Sequence, residues 1–121
     1  MTMRFLLLVH LDESVDAGGP PDALFRAVET FRADTTHGRW VDDGGLTPSS
    51  EALWVRTDGG QATVLDGPFT ETKEVIGGFF VIESPSADDM RQWTRQFVEL
   101  HAEHWPALAF TAQVRQIADP A

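Results

Sequence analysis

Residues 4–11 read Arg-Phe-Leu-Leu-Leu-Val-His-Leu, a short apolar run suited to a central β-strand. Its odd-numbered positions are all apolar, as a sheet face covered by helices requires, whereas the even-numbered ones include Arg4 and His10. The apolar part is too short to span a bilayer, and no small-residue cleavage site follows it. We therefore expect a buried strand in a cytoplasmic, non-membrane protein.

The rest of the chain predicts two helices and five further strands. Apolar periodicity places the helices at about 22–37 and 87–104. The expected strands are 40–46, 53–57, 61–65, 77–83 and 109–117, of which 53–57 and 61–65 form a hairpin. This order indicates an α+β fold, a ferredoxin-like βαββαβ sandwich with an inserted hairpin, in a single domain over residues 1–121.

In such a fold both helices cover one face of the sheet, so the other face is left bare. On that bare face we expect a mixture of apolar and polar side chains: Arg4, Leu6, Leu8, His10, Thr111, Gln113 and Arg115. This mixture favours a homodimer that encloses a partly polar cleft between two sheets. A monomer with a hydrated sheet face is the alternative.

Charge and composition exclude several classes of partner and cofactor. Nine basic residues against 19 acidic ones leave a net charge of −10, which disfavours nucleic acid and anionic membranes as partners. The absence of cysteine excludes disulfides, thiolate nucleophiles and cysteine-based metal sites. The paired glycines lack the setting of a dinucleotide site, and no cofactor is predicted.

Histidines offer two candidate sites. Histidine is the side chain whose unperturbed pKa lies nearest neutral pH, so His10 is a candidate for general acid–base chemistry, although a histidine at a strand end also serves as a simple hydrogen-bonding group. His101 and His104 lie on one side of the second helix, a spacing compatible with a metal. Because no further ligand pattern accompanies them, we expect them to border the core and predict no metal site.

The segment 66–74 reads Asp-Gly-Pro-Phe-Thr-Glu-Thr-Lys-Glu and concentrates the charged groups. Lys73 is the only lysine of the chain, and burial would lower its pKa and make it a candidate base. Asp66 and Glu71 are candidate polar groups, and Phe69 is a candidate wall of the site. The alternative is a solvated loop whose charges neutralise one another.

This segment, with the Val75–Phe79 stretch that follows it, resembles the signature of the DGPF-containing branch of the YCII-related family. The resemblance covers nearly the whole chain, including a Gly-Leu-Thr-Pro turn at 45–48 and the His-Trp-Pro sequence at 104–106. It implies a ferredoxin-like subunit and a dimeric α/β barrel. It assigns no reaction, since most members have none, although some are enzyme-like with a His–Asp pair and one relative is a dehydrochlorinase.

Two functions remain open at this stage. The first is a small-molecule site in the dimer cleft, with His10, Asp66 and Lys73 as catalytic groups for cofactor-free proton transfer or elimination. Its ligand-binding residues would be Phe69, Glu71 and Arg115. The second is a non-catalytic regulatory or ligand-sensing domain, because the resemblance implies an association with extracytoplasmic-function sigma factors.

Overall fold

The computed structural model describes residues 2–65 and 74–118 of the chain. Along the described chain, six strands and two helices follow one another in the order that the sequence predicts. They are β1 (Met3–Leu11), α1 (Asp22–Ala33), β2 (Arg39–Gly45), β3 (Trp54–Asp58), β4 (Gln61–Leu65), β5 (Val75–Ser84), α2 (Ala87–His104) and β6 (Phe110–Gln116). A single 3-10 turn, Ser49–Glu51, lies between β2 and β3.

Four strands form one antiparallel sheet in the order β2-β5-β1-β6. The central strand β1 pairs with β5 on one side and with β6 on the other. With two helices packed on this sheet, the architecture is mixed α/β and compatible with a ferredoxin-like fold. Neither described helix combines the length and the hydropathy needed to cross a membrane.

Side chains along β1 point alternately to the two faces of the sheet, and this alternation decides which of them enter the core. Phe5 and Leu7 are buried among α2 residues that repeat at helical spacing, Met90, Trp93 and Phe97. Ser86 is the N-cap of α2, because its hydroxyl accepts a hydrogen bond from the Asp89 amide at 3.0 Å. The opposite positions of β1, from Arg4 to His10, lie on the helix-free face.

Helix α1 is shorter than predicted. We expected it to continue to His37, but it ends at Ala33. The carboxylate of Asp34 accepts hydrogen bonds from the backbone amide of Thr36 at 3.0 Å and from its hydroxyl at 2.5 Å. This local turn competes with helix continuation, as short polar side chains often do. The same two hydrogen bonds lower the pKa of Asp34.

The predicted hairpin is confirmed as a separate two-stranded sheet, β3-β4. Gly59 and Gly60 both adopt positive φ, 57° and 80°, which is what a two-residue hairpin turn requires. The hairpin lies apart from the core, because Leu53, Trp54, Val55 and Val64 each keep more than half of their surface exposed. Such a hairpin is marginal alone, which makes it a candidate contact surface.

Candidate functional site

Only part of the predicted site lies within the described residues. Asp66, Phe69, Glu71 and Lys73 all lie outside them, in the interval 66–73. His10 and Arg115 are described. The part of the predicted site that the structure describes is therefore the helix-free face around His10.

His10 lies on the helix-free face near the end of β1, where it pairs with Thr111 of β6. Its Nε2 lies 2.8 Å from Oε1 of Gln113, a diagonal neighbour on the same face. An amide oxygen only accepts, so in this arrangement Nε2 carries the proton and Nδ1 holds a lone pair. The imidazole is thus oriented by Gln113 and retains a basic nitrogen, which suits proton transfer.

A bulge shapes the sheet beside His10. In the β1–β5 ladder Val9 pairs with Gly78 and His10 with Ile76, so Gly77 is the extra residue. A Cβ at Gly77 would lie 2.6 Å from a methyl carbon of Leu11, so any other residue here would require the Leu11 side chain to shift. The bulge returns Ile76 to the helix-free face beside His10, where it is 41% exposed.

Arg115 shares the helix-free face but lies at its other half. It pairs with Leu6, four residues along β6 from Thr111, which corresponds to about 13 Å between Cα atoms. The structure therefore brings His10 together with Gln113 rather than with Arg115. Partly buried apolar side chains, among them Leu8 and Phe79, lie between the two polar ends.

A different His–Asp pair is present, which the sequence analysis missed. His37 Nδ1 lies 2.9 Å from Asp89 Oδ1, and the other oxygen of that carboxylate accepts from the Ser86 hydroxyl at 2.8 Å. The hydrogen bonds with His37 and Ser86 lower the pKa of Asp89, and the one with His37 has the larger effect. The two residues are 52 positions apart, and no local pattern signals their contact. The pair joins the loop before β2 to the start of α2, so we interpret it as a structural clamp.

We expect Asp89→Asn to lower the melting temperature at neutral pH, because it removes the charged partner of His37 at the start of α2. Folding lowers the pKa of this carboxyl group, so its charged form stabilises the fold at pH values above the pKa of the unfolded state, near 3.8. The contribution is lost as the pH falls through the pKa of the folded state. The difference in melting temperature between wild type and variant should therefore vanish in acid.

Calorimetry from neutral pH to about pH 3 checks this, because the difference should be constant well above pH 4 and should already shrink once the pH falls below the unfolded pKa near 3.8. Asp88→Asn is the matched control, since Asp88 is an exposed acidic residue of the same helical turn. A difference for Asp89→Asn that stays constant over the whole range would contradict the interpretation.

No group of three or more histidine, aspartate or glutamate side chains within residues 2–65 and 74–118 could hold a metal ion. His101 is partly buried against two aromatic rings, with centroids 4.4 Å from Phe97 and 5.4 Å from Phe110. His104 has a contact of 3.9 Å with Glu103. His101 thus borders the core.

Comparisons with known proteins agree with this architecture. The model of the YCII-related domain matches residues 3–107, from the first residue of β1 to just beyond α2. The chain therefore belongs to the YCII-related family. It is also similar to an uncharacterised protein of Rhizobium meliloti, with 30% identity over 99 residues that cover 77% of this chain and 78% of the relative. Neither similarity names a reaction, so no specific activity is assigned.

Proposed function

We propose that the chain is a homodimeric, small-molecule-binding member of the DGPF branch, in which two helix-free sheet faces enclose the site. Cofactor-free proton transfer or elimination is the chemistry that its residue types suit. The observation that carries the proposal is the oriented imidazole of His10, held by Gln113 on a face whose centre is apolar.

The exposed surface supports self-association. Apolar side chains of β1 and β5 lie partly exposed on the helix-free face, where Leu8 pairs with Phe79 and Leu6 with Val81. A sheet with one uncovered apolar face gains stability by burying it against a second copy.

The segment 66–73 contributes to the proposal through its residue types and its place in the chain. It joins the described chain at Glu74, directly before Val75, and Val75 pairs with Leu11 next to His10. In this proposal Asp66 and Lys73 are acid–base groups, and Phe69, Glu71 and Arg115 contact the ligand. Lys73 also offers a positive charge in a strongly acidic protein.

Ligand-detected NMR with a library of small fragments tests this function. We expect fragments that bind the wild type to lose binding in His10→Ala, Asp66→Asn and Lys73→Ala, while melting temperature and mass in solution stay unchanged. His104→Ala is the matched control, since His104 lies on α2 and not on the helix-free face. The proposed site is contradicted if every fragment that binds the wild type also binds all three of these variants.

The second candidate is a non-catalytic regulatory domain that works with a sigma factor. It is favoured by the hairpin β3-β4, which exposes Trp54, Val55 and Val64 next to the exposed Leu53, and by a net charge of −10 that suits a basic partner. In this case Asp66→Asn and Lys73→Ala would chiefly lower the melting temperature or dissociate the dimer. The same experiments therefore separate the two candidates.

A further inference from the structure

A small cavity lies on the helix-covered side of the sheet, opposite the face that carries His10. It is located between one end of the sheet and the last turns of α2. Its volume is about 200 Å³. Aromatic side chains form much of its wall, among them Phe80, Phe97, Trp105 and Phe110, and glycines of β2 and β5 form its floor. An apolar cavity of about 150 Å³ is enough to bind benzene. This cavity therefore has room for one six-membered ring with a small substituent.

His101 contributes a polar group to this cavity, and only one of its two ring nitrogens makes a hydrogen bond with another residue. Its Nδ1 lies 2.8 Å from the carbonyl oxygen of Phe97, and a carbonyl only accepts, so Nδ1 carries the proton. Burial lowers the pKa of His101, against the opposing effect of that hydrogen bond, so the ring is neutral at pH 7. Its Nε2 therefore presents a lone pair. Within the described chain the hydrogen bond of Nδ1 is the only one that His101 makes, and Nε2 is accessible rather than buried without a partner.

The only other ionisable side chain that lines the cavity is Asp43, among the described residues. One of its oxygens accepts from Trp40 Nε1 at 2.8 Å. A carboxylate and a neutral imidazole nitrogen are both acceptors, so a complementary ligand must donate. The aromatic wall adds a preference for a flat ring.

We propose that this cavity binds a compact aromatic or cyclic molecule that carries a hydroxyl group, which donates a hydrogen bond to Nε2 of His101. The inference is independent of the proposed function, because the cavity lies on the helix side of the sheet and His10 on the other side. Nothing in it depends on dimerisation or on residues 66–73.

The glycine floor provides a way to close the cavity without disturbing the fold. A Cβ at Gly44 or Gly77 would approach a neighbouring side chain to 2.6 Å, whereas a Cβ at Gly45 would have nothing within 4 Å. Gly45 pairs with Gly78 on the helix-covered face and lines the cavity. A leucine at this position should therefore fill the space in which the ligand lies.

Phenol is a suitable probe, and fluorobenzene is its matched control, of similar size but without a donor. Binding is followed by the shift of the ring carbon–proton signal of His101 in NMR spectra, assigned by its loss in His101→Phe. We expect millimolar phenol to shift this signal and to bind about 3- to 10-fold more tightly than fluorobenzene, the effect of one hydrogen bond.

Two variants complete the test. Gly45→Leu should abolish binding of both probes, whereas Gly19→Leu, the same change at an exposed glycine with open space around it, should leave binding unchanged. His101→Phe keeps an aromatic ring against Phe97 and, with binding measured by ligand-detected NMR because the His101 signal is absent, should make the two probes bind equally. The proposal is overturned if phenol leaves the His101 signal unshifted, if both probes bind the wild type equally, or if Gly45→Leu still binds phenol.

Discussion

Phe97→Ala is expected to lower the free energy of unfolding by about 3–5 kcal/mol, the range for removing a fully buried aromatic side chain. Phe97 is 2% exposed, and its ring contacts rings from both helices and from the sheet. It stacks on Trp93 with centroids 5.3 Å apart. Loss of this ring would leave a cavity that rigid strands and a helix close only in part.

Urea unfolding followed by tryptophan fluorescence measures this effect, since the chain has four tryptophans. Phe25→Ala is the matched control, because Phe25 lies on α1 with 56% of its surface exposed. We expect the control to change stability by no more than about 0.5 kcal/mol. A cost below about 1 kcal/mol for Phe97→Ala would mean that the core is organised differently from the structure described above.

Leu8→Arg is expected to convert the proposed dimer into a monomer. Leu8 lies at the middle of the central strand on the helix-free face, opposite Phe79 and Gln113. Because a two-fold interface contains each residue twice, the substitution would bury two unpaired charges. Each buried unpaired charge should cost about 2 kcal/mol or more, so the dissociation constant should rise by at least about 1,000-fold.

Sedimentation equilibrium of the wild type and the variant measures this change, and circular dichroism establishes that the variant is folded. Phe25→Arg is the matched control, since it places the same charge on the outer side of α1. A wild type that sediments at 13.4 kDa, or a Leu8→Arg variant that stays dimeric, would overturn the proposed interface.

The sequence predicted the fold well because its strongest signals are local. Alternation in β1 and the stripe of Met90, Trp93 and Phe97 in α2 report directly on burial, and the structure confirms both. The predicted end of α1 was wrong because the turn made by Asp34 and Thr36 outweighs the apolar periodicity that precedes it. Local side-chain hydrogen bonds of this kind are hard to weigh against helix propensity in a single sequence.

The site was less predictable, since its contacts join distant parts of the chain. The hydrogen bond of His10 to Gln113 spans 103 positions and depends on the register of β1 against β6. The contact of His37 with Asp89 depends in turn on where α1 ends. Sequence analysis placed His10 and Gln113 on the same face but gave no reason to pair them.

A distance measurement between two copies tests the central claim most directly. Because the chain has no cysteine, one nitroxide label can be attached through Thr111→Cys on the helix-free face or Glu29→Cys on α1. With layers about 10 Å apart and the helices outermost, labels on α1 should lie about 30 Å or more apart. The account predicts a clearly shorter distance between labels at position 111. No measurable coupling at either position, or a shorter distance between labels at position 29, would contradict it.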